Sequence, residues 1–590
     1  MKTFYNLAFY LVFLLFSLTP TYSQSYNLEV AWSTYFGDEG FKFSDTAIDS
    51  EGNIYFVGFL DATNNFNTTS GSFQPIYGGG SFDGFMVKMN PQGQVIWATY
   101  FGGEESDGIS GIAIDNNDKI YIVGGTSSAT GIATPNSYQS IKDGISDTFV
   151  ARFSKNGMRE WGTYYPDINA ISVNYSIGNT LHTGFDVVTD NLGYLYFYNR
   201  TSNPNAATAG AFQTDIAQDT NNIITKFTTE GERVWATYYG INYSNIYSIA
   251  IGNDGLYVAG STIDCPPTGS YNTYFATAGS HQQEPGNCKD VFISKFSLNG
   301  NRLWGTYYGN FVQEYSGRSA LLVDGDVLYL SGISNNQINI TTPGSYQEDS
   351  DSYFTPYLVK FNSLGERQWG TYIGLNHIEF ETQGWPYAML DKDNNGNIYM
   401  FGLTRFGDNI STPTAFQPEK NELNDTYLAI FSPSGDQLLY GTYFGGSGEE
   451  FGSRPIVSGE NVYLFGQTGS TEGITTPGSY QPDYMTNASA DDNRNIFITK
   501  LQPVPLDLND LAIPQVSAYP NPNKGNFTIA TSQNTIQAVS IHNVLGQRIQ
   551  QILPNANTAE INIGNVQPGI YFAAVTLENN SKETLKVLVE

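Results

Sequence analysis

Cysteine, histidine and charge are all scarce in this sequence. It has two cysteines and four histidines in 590 residues, and only 14% of its residues are charged. The histidines (His182, His281, His377 and His542) form no His-Glu-x-x-His pair, which excludes the common zinc-protease site. A Gly-x-Ser-x-Gly elbow and a P-loop are missing too. No window carries a 3.6-residue apolar period, which argues against helices. The longest apolar run, Leu7 to Leu18, is too short to span a bilayer, so no transmembrane segment is expected after processing. The charge that exists is one-sided, with 27 Lys and Arg against 56 Asp and Glu and a formal net charge of −29. Such a chain repels phosphate backbones, so nucleic acid is not an expected partner.

The short apolar run has a different meaning. Lys2 precedes it, and Thr21-Tyr22-Ser23 follows with small residues placed for a cut before Gln24. Residues 1–23 therefore read as a secretory signal peptide. No cysteine stands at the cut, which excludes a lipoprotein anchor there. In an oxidising compartment Cys265 and Cys288 are expected to form a disulfide. Closing that loop of about 24 residues would stabilise the fold by about 3 kcal/mol.

What is plentiful is a repeat. Trp-x-Thr-Tyr occurs at Trp32, Trp97, Trp161, Trp235, Trp304 and Trp369, and a seventh copy starts with Tyr440. Spacings run from 64 to 74 residues. A second tyrosine recurs at Tyr55, Tyr121, Tyr196, Tyr257, Tyr329, Tyr399 and Tyr463, and an Asp-x-Phe segment lies between the two signatures, as in Asp83 to Met89. Each unit thus holds four short β-branched and aromatic runs, a to d, separated by Gly, Asn and Asp. Seven units of four antiparallel strands make a seven-bladed β-propeller spanning residues 24–502. The first d-type run, around Trp32, precedes any a–b–c set, and the last a–b–c set, ending near Leu501, lacks a d-run. The amino-terminal strand should therefore close the ring and remove its open edges. The repeated aromatics are expected to be packing residues between blades.

These residues resemble the bacterial β-propeller repeat family with a W-x-T-Y-x-G-G and D-x-x-G-N-x-Y pattern. Phe101-Gly102-Gly103, Phe444-Gly445-Gly446, Asp49 to Gly58 and Asn394 to Gly402 carry the likeness. It implies a fold and a secreted setting, and no activity. Residues 503–518 read as a linker. Beyond them, alternating strands and turns describe a small immunoglobulin-like β-sandwich over 519–590. Its markers are Tyr519-Pro520-Asn521-Pro522, Gly525, Gly546, Gly569, Tyr571 and Lys586. This set resembles the C-terminal sorting domain of the type IX secretion system of Bacteroidetes. The resemblance implies contact with that secretion machinery, passage through the periplasm, and a secreted or outer-membrane-surface location. It also implies removal of the domain and attachment to surface lipopolysaccharide.

No catalytic motif is recognisable, which points away from an enzyme. Glu104-Glu105 and Glu449-Glu450 follow Gly-containing turns as loop carboxylates. Asp391, Asp393 and Asn395 resemble the first half of a calcium loop, though the terminal acidic ligand is missing. Calcium is the sole cofactor suggested. Strand parity puts the long b–c loops and the d–a loops on one face, around the channel mouth, where a ligand site is expected. The leading expectation is a secreted or surface-displayed binding or adhesion protein with a carbohydrate or surface-protein ligand. The alternatives are an extracellular polysaccharide hydrolase or lyase with its site at the channel mouth, and a structural surface-layer or motility component.

Overall fold

The computed structural model describes residues 26–168, 186–217, 221–241, 244–263, 273–286, 289–311, 320–334, 340–350, 355–374, 388–404, 409–421, 424–488, 493–504, 516–531, 534–564, 566–578 and 582–590. The signal segment and both cysteines lie outside them, as do His182 and His377. All regular elements among the described residues are strands. The chain divides into two compact units, Met1–Pro503 and Val504–Glu590.

Among its described residues the first unit is a ring of seven four-stranded antiparallel sheets. Blade 1 runs in order from strand a (Lys42–Ile48) through b (Ile54–Leu60) and c (Asp83–Met89) to d (Val95–Phe101). Blades 2 to 6 repeat that order. Blade 7 takes a (Glu450–Ser458), b (Asn461–Thr468) and c (Asn495–Pro503) from the end of the unit and d (Leu28–Phe36) from its beginning. Trp32 pairs with Lys500 and Tyr35 with Phe497, so the ring is closed as expected. Aromatic and aliphatic side chains from adjacent sheets fill the spaces between blades. Phe43, Phe56 and Phe85 of blade 1, for example, pack with Phe465 and Ile496 of blade 7.

The repeated tryptophan joins six of the seven blades to the next. Its indole N–H donates to a carbonyl in the following blade's c–d turn, from Trp32 to Pro91 (3.0 Å), Trp97 to Lys155 (3.1 Å) and Trp161 to Thr229 (3.0 Å). Trp235, Trp304 and Trp369 do the same toward Leu298, Ser363 and Pro433. The ring lies against a turn glycine, such as Gly93 at φ +80°, where any side chain would press on the indole. This explains why the seventh copy is Tyr440. Its neighbour, blade 7, draws strand d from the amino terminus and has no c–d turn to receive an indole.

The long b–c loops do not all reach for solvent. In each blade a Thr-x-x-x-x-Gln segment folds back along strand d. In blade 2, Thr134 N–H donates to Gly162 O (2.8 Å) and Tyr164 N–H to Gln139 O (3.0 Å). In blade 7 the strap crosses the closure, with Thr476 N–H to Ser33 O and Tyr35 N–H to Gln481 O. The strap covers the outer edge strand, which would otherwise present unpaired backbone groups.

The second unit is a sandwich of a three-stranded sheet (Val516–Tyr519, Asn526–Thr531, Thr558–Asn562) and a four-stranded one (Arg548–Ile552, Ile536–Asn543, Gly569–Leu577, Lys582–Val589). Between them lie Ile529, Val539, Ala573, Val575 and Val587. The motif residues anchor the last strand. Asn521 receives the Leu588 N–H (2.8 Å) and donates to Lys586 O (2.8 Å), and Asn523 N–H donates to Leu588 O (2.9 Å). Gly525 and Gly546 hold turns at φ +90° and +76°, and Tyr571 donates to Gln567 O.

Candidate functional site

A ring of like units offers one distinct site only where a unit departs from the others. The inner strands depart most. Register places Asp45, Gly111, Asp186, Ser248, Ala320, Met389 and Arg454 at one level around the channel, two residues before the position that pairs with the repeated b-strand tyrosine. These seven residues share no chemistry. The inner strands of all seven blades enclose a chamber of about 350 Å³ at this depth, lined by Asp186, Asp391 and Arg454 together with Thr46, Thr189, Ser248 and apolar residues.

The polar members first solve an edge problem. An innermost strand has backbone N–H groups with no further strand to pair with. Asp45 Oδ2 takes the Ile112 N–H of the next blade (3.0 Å), Ser248 Oγ the Leu321 N–H (3.1 Å), and Asp391 Oδ2 the Val457 N–H (2.6 Å). Arg454 then compensates the carboxylates, with Nη1 at 3.3 Å from Asp45 Oδ1. Burial would lower the Arg454 pKa, but the charges of Asp45, Asp186 and Asp391 outweigh it and hold the pKa up. Burial raises the pKa of Asp45 and Asp391 despite Arg454. Burial, reinforced by the Asp45 charge, pushes Asp186 up to about 7. The chamber thus presents a guanidinium whose side chain is 40% accessible and a carboxyl that titrates near neutrality.

A second departure lies one residue toward the d–a face. The inner-strand bulge residue is Ser44 in blade 1, Ser110 in blade 2 and Ser453 in blade 7, but Tyr247 in blade 4. The half-buried Tyr247 hydroxyl accepts a hydrogen bond from Ser261 Oγ at 3.3 Å. Beside it, at the end of a b-strand in blade 3, stands Arg200, where blades 1, 2, 6 and 7 carry Phe59, Gly125, Leu403 and Gln467. Arg200 Nη1 donates to Asn245 Oδ1, and burial lowers the Arg200 pKa while the phenol opposes that shift. A guanidinium, an amide and a phenol therefore converge where a rigid sheet meets the channel mouth. Together they can hold an anionic group and move a proton beside it.

The residues expected from sequence fall elsewhere. Asp391 caps blade 7. Asp393 closes its own a–b turn, taking N–H groups of Asn395 (2.8 Å) and Asn397 (2.9 Å) and the Tyr26 hydroxyl (3.0 Å). The same turn recurs at Asp49, Asp115 and Asp190. Asp391 and Asp393 thus serve separate backbone groups, and among the described residues no group of three or more His, Cys, Asp or Glu side chains is placed to hold a metal ion. Glu104 is a loop residue held by Thr130, whereas Glu450 is buried against Thr468 and Ser470. His281 packs against Tyr308 and Phe361, and burial lowers its pKa.

Comparison with known proteins assigns the tail first. Residues 517–590 match the secretion system C-terminal sorting domain family. The tail is a type IX sorting domain. The protein is therefore secreted or held at the outer-membrane surface, and no helix among the described residues is long and apolar enough to cross a membrane. The chain is 29% identical over 257 residues to an endo-acting ulvan lyase of Formosa agariphila, covering 43% of this chain and 42% of the relative. It is 28% identical over 106 residues to the ulvan lyase NLR42 of Nonlabens ulvanivorans, covering 18% and 20%. Each match thus spans less than half of the relative's length. The longer alignment exceeds residues 504–590, so most of it falls in the blades. A solved PL25 ulvan lyase has 10% identity and a TM-score of 0.38, covering 78% of this chain and 94% of its own, a likeness that does not bear on activity. These curated relatives overturn the expectation of a binding or adhesion protein, and with it the inclination away from an enzyme, because both are named as polysaccharide-cleaving enzymes.

Proposed function

We propose that the protein is an extracellular polysaccharide lyase working at the channel mouth of the ring. The observation that carries this reading is the alignment with an ulvan lyase, most of which lies in the blades. The site chemistry suits elimination next to a carboxylate. That reaction needs a cation on the carboxylate, a base for the acidic C–H and an acid for the leaving oxygen. Arg200 is the cation and Tyr247 the proton-transfer group, with Arg454 and Asp186 in the chamber one residue deeper. The Trp-x-Thr-Tyr blades suit the bacterial repeat family described above. Removal of the leader at residues 1–23 belongs to the same reading, as do a Cys265–Cys288 disulfide formed in the periplasm and release of the sorting domain with attachment to lipopolysaccharide.

The test is turnover by the purified protein on ulvan and on neutral polysaccharides. Elimination gives a conjugated double bond seen by ultraviolet absorbance, expected with ulvan and not with neutral glycans. Reducing ends appearing without that absorbance would mean hydrolysis, and no turnover on any uronate polymer would contradict the proposal.

A further inference from the structure

Three blade junctions share one geometry and differ in chemistry. At each, the first residue of a c-strand and the first residue of the next blade's a-strand meet beside a glycine of the d–a turn. The pair is Asp83 and Asp107 beside Gly102 between blades 1 and 2, and Asp425 and Glu450 beside Gly445 between blades 6 and 7. Between blades 3 and 4 it is Asn221 and Ser244 beside Gly240. A methyl group on any of these glycines would collide with both members of its pair. All six side chains are buried.

Two carboxylates brought together away from water cannot both stay charged unless something offsets the repulsion. Part of each pair is satisfied. Asp83 Oδ2 accepts the Gly78 N–H, and Asp107 Oδ2 accepts from Gly103 (2.6 Å) and Ser128 (2.8 Å). Asp425 Oδ2 accepts the Asn421 N–H (2.8 Å), and Glu450 accepts from Gly446 (3.1 Å), Thr468 (2.6 Å) and Ser470. Asp83 Oδ1 and Asp425 Oδ1 are buried with no donor, and each lies against the glycine that its partner acid also touches. The missing component is a donor for these oxygens. Among the described residues neither pair belongs to a group of three or more His, Cys, Asp or Glu side chains placed to hold a metal ion.

We propose that each acid junction binds one proton, shared between its two carboxyl groups, so that blades 1 and 2, and blades 6 and 7, are joined by carboxyl–carboxylate clasps. The junction of blades 3 and 4 is the neutral counterpart, where an amide and a hydroxyl fill the same space without a bound proton. Burial, with the partner's charge, pushes Asp83 up to about 7 and Glu450 up to about 7, and burial pushes Asp107 up to about 6. Asp425 is raised by burial, against the opposing charge of Lys420. Glu104 adds repulsion at Asp107, and the phenols of Tyr77, Tyr100 and Tyr35, facing the pairs, stay neutral because burial raises their pKa as well.

The folded pKa values lie above the unfolded value of about 4. The clasps' stabilisation is therefore complete below about pH 4 and is lost as the pH rises through about 7. Infrared spectroscopy of the full chain at about pH 6 tests this, with one junction converted to the neutral chemistry (Asp83→Asn with Asp107→Ser), then both (adding Asp425→Asn and Glu450→Ser). A protonated-carboxyl band should be present in the folded wild type and should fall by equal steps as one junction and then both are converted, leaving the share of Asp186 in the chamber. The folding equilibrium should lose up to about tenfold per pH unit less for each clasp removed. In an Asp186→Asn background the chamber carboxyl is silent, so the remaining band and its titration decide the matter even where a junction variant folds poorly. No band, or an unchanged pH slope in well-folded variants, would overturn the proposal. So would calcium raising the melting temperature of the wild type and not of the variants, because a cation would then hold the acids.

Discussion

The outer and inner edges of the blades face the same physical problem and solve it differently. The outer edge is treated alike around the ring. A Thr-to-Gln strap pairs with strand d, and an indole reaches the next blade wherever a turn exists to receive it. The inner edge is capped blade by blade, by Asp45 here and Ser248 there, while Gly111, Ala320 and Met389 offer nothing polar. Uniform treatment serves stability alone. Individual treatment is what lets a closed ring carry one charged chamber and one Arg–Asn–Tyr cluster instead of seven equivalent ones.

The largest expected effect breaks the outer edge. Trp161→Ala should cost about 3–5 kcal/mol in denaturant unfolding by removing a 9%-exposed indole and its bond to blade 3. The surviving folded fraction should keep its turnover. Next, Arg454→Met should cost about 3 kcal/mol at alkaline pH by leaving buried carboxylates without their counter-charge. That loss should shrink as the pH falls, because Asp45, Asp186 and Asp391, already raised, then protonate more readily. Stability measured across pH checks the sign, and a loss independent of pH would refute the compensating role. Tyr440→Trp should cost about 1–3 kcal/mol, since the indole would overfill a closed space and find no turn carbonyl. A stabilised Tyr440→Trp protein would contradict the account of the seventh copy.

The contrast also explains what the sequence revealed. Ring closure was legible because Trp-x-Thr-Tyr repeats and because one d-run is displaced to the amino terminus. The strap motif, Thr134 to Gln139 and its six counterparts, went unread, because a loop motif gives no sign of the strand edge it covers. The chamber was hidden for a different reason. Asp45 and Arg454 meet across 409 positions, and each looks like an ordinary surface charge in its own unit. Asp391 and Asp393 are two apart in sequence but do different work, because Asp391 is still in the strand and reaches the Val457 N–H of the next blade, whereas Asp393 lies beyond the strand end and closes the a–b turn. Tyr247 carried a usable signal, a tyrosine where aligned units have serine, but it emerges only once the bulges fix the register.

The most direct measurement is ulvan turnover by Tyr247→Ser beside the wild type, followed through double-bond absorbance. The substitution restores the residue that blades 1, 2 and 7 already hold, so the variant should fold, at a cost of about 1 kcal/mol for the lost half-buried ring. The account predicts an active wild type and a folded variant slowed by about 100-fold or more, with its pH profile altered. An active wild type matched by an equally active variant would show that chemistry does not reside where the ring stops repeating.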